Sequence, residues 1–155
     1  MKALLQRVSE ARVIAVETGG VLGAIDQGLV VLICAEPKDG ASEVELFARK
    51  IVNMRLFEDE QGKMNRSVLD VGGSVLVVSQ FTLIADWRKG NRPSFSGAAD
   101  PEMAEELYEK LVKAIGDLDV PVATGRFRSH MQIELTNDGP VTIWMDSSDR
   151  QIKRQ

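Results

Sequence analysis

Two short segments, Ser79-Gln80-Phe81-Thr82-Leu83 and Asn137-Asp138-Gly139-Pro140-Val141-Thr142, hold the groups most suited to act on a carbonyl. Neither contains a usual nucleophile–base pair. Both offer small polar side chains and backbone groups at strand ends. That suits a site that reads a substrate by shape and hydrogen bonds. Ser79, Phe81 and Leu83 share one strand parity, and Gln80 and Thr82 the other. Thr82 is either a polar clamp or a nucleophile, or its hydroxyl is simply satisfied at a strand end. Gly139-Pro140 reads first as a turn between two strands, and more sharply as a cis peptide.

Other reactive residues point elsewhere. His130 is the only histidine. Its alternation with Met131, Ile133 and Leu135 puts it on the face of Gln132 and Glu134, as a solvated rim residue. A Ser-His-Asp triad has no local support. Cys34, the only cysteine, ends an apolar strand and reads as a buried inert thiol. One histidine and one cysteine argue against zinc, and no acidic cluster points to magnesium. Neither a metal nor a cofactor is expected. Gly19-Gly20 and Gly72-Gly73 lack phosphate-loop spacing.

With 155 residues and 44% hydrophobic content, the chain suits one domain with one core. A lone cysteine allows no internal disulfide. The start lacks a signal-like apolar run, and Leu29–Ala35 is too short to span a membrane, so a cytoplasmic protein is expected. The net charge of −4 argues against a general nucleic-acid coat. Arg88, Lys89 and Arg92 nevertheless make a local basic patch around Gly90, directly after the Ser79–Leu83 strand. It reads as phosphate-binding or as a solvated loop.

The elements that must position these groups are legible in outline. The first 36 residues read as strands, with turns at Gly19-Gly20 and Asp26-Gln27-Gly28. Leu29–Cys34 and Ser74–Val78 read as strands buried on both faces. Ser42 with Glu45 predicts a capped helix whose apolar stripe is Val44, Phe47, Ala48 and Ile51. Residues 58–65 read as a loop, and 86–99 as a long surface loop. Asp100 and Pro101 open a second helix that stops near Gly116. Strands near 121–127, 131–135 and 141–145 follow. Residues 1–146 form the predicted domain, and 147–155 a polar, frayed tail. Two helices covering many strands predict an α/β fold in which sheets also pack on each other.

With these segments in place, the chain resembles the D-aminoacyl-tRNA deacylase family. The resemblance spans about Met1 to Met145. It is carried by Leu5-Gln6-Arg7-Val8, Gly62-Lys63-Met64-Asn65, Gly72 through Leu83, Arg92-Pro93-Ser94-Phe95, Thr124-Gly125-Arg126-Phe127 and Asn137 through Thr142. It implies a single-domain three-layer β-β-α fold, with two packed sheets or a barrel-like β core and two main helices. It implies a homodimeric hydrolase, with its active site at the subunit interface, that releases D-amino acids and glycine mischarged on tRNA and rejects L-aminoacyl-tRNA. Carried over, Ser79, Gln80, Phe81 and Thr82 line the catalytic pocket. Gly139 and Pro140 of the partner form the chiral filter, oriented by Arg7. Ala104, Met131 and Asn137 belong to the pocket wall, and Arg88, Lys89 and Arg92 contact tRNA. The chain departs from the family at Arg128-Ser129-His130, where small residues are common. The rival readings are a non-catalytic aminoacyl-tRNA-binding module and a Thr82-dependent small-molecule esterase.

Overall fold

One long hairpin sets the architecture of the computed structural model, which describes residues 1–151. Its first arm is β1 (Lys2–Ala15); its second is the collinear pair β2 (Val21–Ile25) and β3 (Gly28–Cys34). Val8 pairs with Gly28 and Ala11 with Ile25, so both halves keep one register. The pairing lapses at Ser9-Glu10 against Asp26-Gln27, and the register slips once more between Val13 and Ile14, near the turn. The final strand, β8 (Met131–Asp146), runs along the other edge of β1. Residues 142–146 pair with Lys2–Gln6, and residues 131–137 with Val8–Ala15. Residues 138–141 leave the ladder as a bulge beside Arg7. The interruptions at Ser9-Glu10, at Asp26-Gln27 and at 138–141 lie side by side, and there the sheet turns a corner. Bulges and bends are how strands pass from one layer to another.

The corner divides the core in two. Ala3 and Leu5 face the helices, whereas Val8, Ala11 and Val13 face a second cluster with Val30, Leu76 and Val78. The extra residue at Ser9-Glu10 explains the change of parity, because a one-residue slip moves every following side chain to the opposite face. β3 pairs in parallel with β6 (Ser74–Ser79), and β6 in parallel with β7 (Val122–Thr124). The folded-over β2 then meets β7. A Cβ on Gly23 would stand 2.4 Å from the Thr124 carbonyl oxygen, so only glycine lets these backbones approach. The result is a nearly closed, barrel-like β core.

The third layer is helical. α1 (Ala41–Asn53) and α2 (Pro101–Gly116) place Phe47, Ile51, Leu107, Leu111 and Ile115 against Leu29, Val31, Val75 and Val77. Because α1 and α2 cover one face and the folded-over strands the other, β3 and β6 are buried on both faces. This is the expected β-β-α arrangement. α2 starts as expected, with Asp100 Oδ1 accepting from the Met103 N–H at 2.9 Å and Pro101 in the first turn.

Four local expectations are corrected. α1 begins at Ala41, not Ser42. Glu43, not Glu45, reaches back to the Gly40 N–H at 2.8 Å. Residues 58–65 are not simply a loop. β4 (Phe57–Glu58) and β5 (Met64–Arg66) form a small hairpin, its turn held by Asp59, which accepts from the Gln61 and Lys63 N–H groups. Residues 131–135 and 141–145 belong to one strand, because Gly139-Pro140 bulges out of β8 without reversing the chain. The tail is not frayed from its start. Ser147–Gln151 form a 3₁₀ turn, with the Ser147 N–H donating to the Met1 carbonyl at 2.9 Å and Arg150 pairing with Glu43 at 2.6 Å. The remainder of the tail, 152–155, lies outside the described residues. No helix among the described residues is long and apolar enough to cross a membrane.

The β1–β8 ladder closes with an ion pair, Lys2 Nζ to Asp146 Oδ2 at 2.7 Å. Burial pushes the Asp146 carboxyl up, but Lys2 with the Ser148 N–H and Oγ outweighs it and holds the pKa at about 2. An unfolded aspartate titrates near ~3.9. The stabilisation is therefore complete above about pH 4 and disappears as pH falls towards 2. Urea midpoints of wild type and Asp146→Asn should differ at pH 6 and converge by pH 2; a constant gap would contradict the linkage.

Candidate active site

The site begins where β6 runs out. Ser79 is the last residue of the buried strand, paired with Ile33. The Gln80 N–H makes one more bond, to the Ile33 carbonyl at 2.7 Å. The chain then tightens into the 3₁₀ turn Phe81–Ile84. The first N–H groups of such a turn have no partner within it. Those of Phe81 and Thr82 also meet no acceptor elsewhere among the described residues. Two adjacent amide donors are thus available beside Ser79. The Thr82 hydroxyl accepts a short hydrogen bond from the Gln80 amide nitrogen, which orients both side chains.

Ser79 and Phe81 line a cavity of about 460 Å³ at the C-terminal ends of β3 and β6; Gln80 and Thr82, expected in the pocket wall, lie beside it and not in its lining. Ser79 and Phe81 form one wall, Ala104, Leu107 and Tyr108 of α2 another, and Phe127 through Ser129 with Met131 a third. Small residues, Ala35, Ala98 and Ala99, leave the volume open. Cys34 lines it too, and burial raises its thiol pKa. Burial likewise pushes Tyr108 up to about 12; its Oη donates to the Val77 carbonyl at 2.9 Å. Both groups therefore stay protonated at neutral pH. The cavity wall contains hydroxyls and amides but no activated side-chain nucleophile.

The second segment is built differently. The Gly139–Pro140 bond is cis, and Gly139 has φ 134°. A Cβ on Gly139 would lie 2.8 Å from Val141 Cγ2 and 3.0 Å from Arg7 Nη2, so the bulge has room only for glycine. Arg7 is buried, donating from Nε to the Asp138 carbonyl at 2.9 Å and from Nη1 to the Leu56 carbonyl at 2.8 Å. Asn137 closes the bulge from within: Oδ1 accepts from the Val141 N–H and Nδ2 donates to Thr142 Oγ1, each at 3.0 Å. Within one chain Asn137 is outside the cavity wall, whereas Ala104 and Met131 are in it. Gly139 and Pro140 are exposed.

The two segments are not brought together in one chain. Ser79 aligns through Ile33 and Ala3 with Met145, four rows from Arg7. Ordinary strand spacings then put the bulge roughly 14 Å across the sheet and about 13 Å along it from Ser79. The basic loop is nearer. An isolated bridge between Asp86 and Ser94 closes it, and Phe95 packs edge-on against Phe81 with centroids 5.3 Å apart. Arg88 forks onto Asp86 with two 2.8 Å bonds, which holds that carboxyl at about 2. Lys89 and Arg92 have no acidic partner among the described residues. His130 is exposed, as expected.

Sequence reasoning missed Cys34, Tyr108 and Phe127 as cavity walls. Each looked like ordinary core. Only the register, which ends β3 and β6 together beneath α2, turns them towards a cavity. No group of three or more His, Cys, Asp or Glu placed to hold a metal occurs among the described residues.

Comparison with known proteins fits this geometry. The family model described as D-Tyr-tRNA(Tyr) deacylase matches residues 4–146. A D-aminoacyl-tRNA deacylase of Ruegeria pomeroyi is 56% identical over 94% of this chain and 99% of its own length. That of Clostridioides difficile is 53% identical over 96% of this chain and 98% of its own. Among solved structures, a c-Myc DNA Unwinding Element Binding Protein superposes with a TM-score of 0.88 at 40% identity, covering 95% of this chain and 99% of that one. A probable eukaryotic D-amino acid tRNA deacylase shares the fold, with a TM-score of 0.79 at 15% identity over 93% of this chain and 97% of that one. Matched along nearly its whole length by that model and by close relatives, the chain belongs to the D-Tyr-tRNA(Tyr) deacylase family.

Proposed function

We propose that this protein hydrolyses the ester bond of D-aminoacyl-tRNA, with glycine mischarged on tRNA as a further substrate, and that it does so as a homodimer. The observation that carries the reading is the pair of adjacent unpartnered amides, Phe81 in the wall of a cavity without an activated nucleophile and Thr82 next to it. An aminoacyl ester is already reactive, so stabilising the developing oxyanion goes far. One such donor is typically worth about 2.7–4 kcal/mol. Water is the nucleophile, and the 2′-hydroxyl of the terminal ribose assists it. Ser79 completes the polar wall, and Gln80 fixes Thr82.

The separation between Ser79 and the bulge supports the dimer. A second copy supplies its own Gly139-Pro140 to the first copy's cavity, and β8, which pairs only with β1 among the described strands, leaves an edge for it to approach. The rigid bulge, held by Arg7 and Asn137, presents backbone carbonyls to the substrate's α-amino group and leaves no volume for an L side chain. Exclusion by clash gives selectivity without a dedicated reactive group. Glycine has no side chain and escapes the filter. Lys89 and Arg92 hold tRNA phosphates beside the cavity. Arg88 contributes less, because Asp86 already neutralises it.

Three measurements test this. Purified protein should hydrolyse D-aminoacyl-tRNA and spare the L-form; binding without turnover would leave only an RNA-binding module. Thr82→Ala should keep measurable activity, because the donors are backbone groups. Complete loss with intact folding and substrate binding would instead implicate a threonyl ester. Replacing Lys89 and Arg92 together by alanine should reduce the slope of log affinity against log salt by roughly 1.4–1.8, with a smaller change for Arg88→Ala. An unchanged slope would remove this loop from the RNA contact.

A further inference from the structure

Arg128 stands where a four-residue turn calls for glycine. The Ser129 N–H donates to the Arg126 carbonyl at 3.2 Å, closing a turn over Arg126–Ser129. Its third residue, Arg128, has φ 62°. Positive φ at that position is the province of glycine and asparagine. Among the described residues only one other non-glycine, Asp119, has positive φ. Aspartate tolerates that region, and it sits in the turn that follows α2. Arginine has no such excuse. Strain borne by an arginine where the turn would take glycine without cost is a reason to look for a role.

The surroundings indicate one. Arg128 is the only charged side chain lining the cavity, whose other walls are mainly Ala, Leu, Phe and Met. It is exposed and forms no hydrogen bond or ion pair among the described residues. An unpaired guanidinium at the mouth of an apolar cavity is a fork for a phosphate or carboxylate. An aminoacyl ester carries its acyl group on the terminal ribose, and the nearest anion along the RNA is that nucleoside's own 5′-phosphate. We infer that Arg128 binds the 5′-phosphate of the terminal nucleotide and so holds the ester in register with the Phe81 and Thr82 amides. This rests on the deacylase reading for its substrate, but its contact is a separate one. It differs from the Lys89 and Arg92 contacts because it reads a phosphate present in every charged tRNA. Arg128 therefore adds affinity without discriminating among tRNAs.

The test compares adenosine with adenosine 5′-monophosphate as ligands of the intact protein, by calorimetry or chemical-shift titration. Wild type should bind the monophosphate about tenfold more tightly, in line with a hydrogen bond to a charged group. Arg128→Ala should bind the two equally, and Arg128→Lys should recover only part of the preference. Arg128→Gly should lose the preference while melting no lower than wild type, because glycine relieves the backbone strain. That variant separates lost contact from lost folding. Equal binding by wild type, or a preference surviving in Arg128→Ala, overturns the inference. The deacylation assay is independent: preference for the monophosphate without any ester hydrolysis would defeat the enzymatic reading and leave Arg128 as a phosphate ligand.

Discussion

Arg7 is a buried cation without a close counter-ion, and much of the molecule is arranged around satisfying it. The nearest carboxylate oxygen, Asp138 Oδ2, stands 3.9 Å away. Taking a guanidinium out of water costs several kcal/mol unless its hydrogen bonds are replaced. Two main-chain carbonyls replace them, Leu56 after α1 and Asp138 in the bulge of β8. Asp138 can offer its carbonyl because residues 138–141 have left the β1–β8 ladder. Side-chain charge, helix end and bulge thus determine one another. The same cation occupies the space that a Cβ on Gly139 would need. The exposed Gly139-Pro140 pair is therefore fixed from behind.

The corner and the cavity divide the chemical labour. At the corner, three adjacent strand interruptions make rigid backbone available at the surface. At the other end of β3 and β6, parallel strands stop together under α2 and leave an apolar hollow rimmed by amides. Ligands commonly settle beyond the carboxyl ends of parallel strands, where such crevices form. Ionisable groups in the hollow, Cys34 and Tyr108, are kept neutral by burial. What remains is an environment of fixed dipoles, with Arg128 as the one charged side chain in the lining.

Much of this was legible in the sequence, for identifiable reasons. Unbroken apolar runs gave away β3 and β6, because strands covered on both faces need no polar side. Asp100-Pro101 gave away the start of α2, because capping and fixed φ act locally. The two signature segments were evident as polar strand ends. Less was visible where a distant partner decides the outcome. Ser42 and Glu45 satisfy the spacing of a helix cap, yet Glu43 reaches Gly40 first. Gly139-Pro140 has the composition of a reversal, but β1 holds both flanks of it in one antiparallel ladder. The stretch 58–65 is mostly polar, so nothing in its periodicity announced a hairpin organised by Asp59. Ser147 and Arg150 found partners at Met1 and Glu43, contacts that no local pattern encodes.

The marriage of β1 to β8 has a further consequence, for the timing of folding. These strands come from opposite ends of the chain, with Lys2 against Asp146. Long-range pairing of this kind makes folding slow. During synthesis at about 5–20 residues per second, one edge of β1 stays open until β8 has emerged. The contacts of β1 with β2 and β3 are closer in sequence and are available earlier. The Arg7 guanidinium, however, waits for its Asp138 acceptor until the last strand arrives. Until β8 arrives, a nascent chain carries an unpaired edge of β1 and a guanidinium without its Asp138 acceptor, and exposed strand edges of this kind make intermediates prone to aggregate.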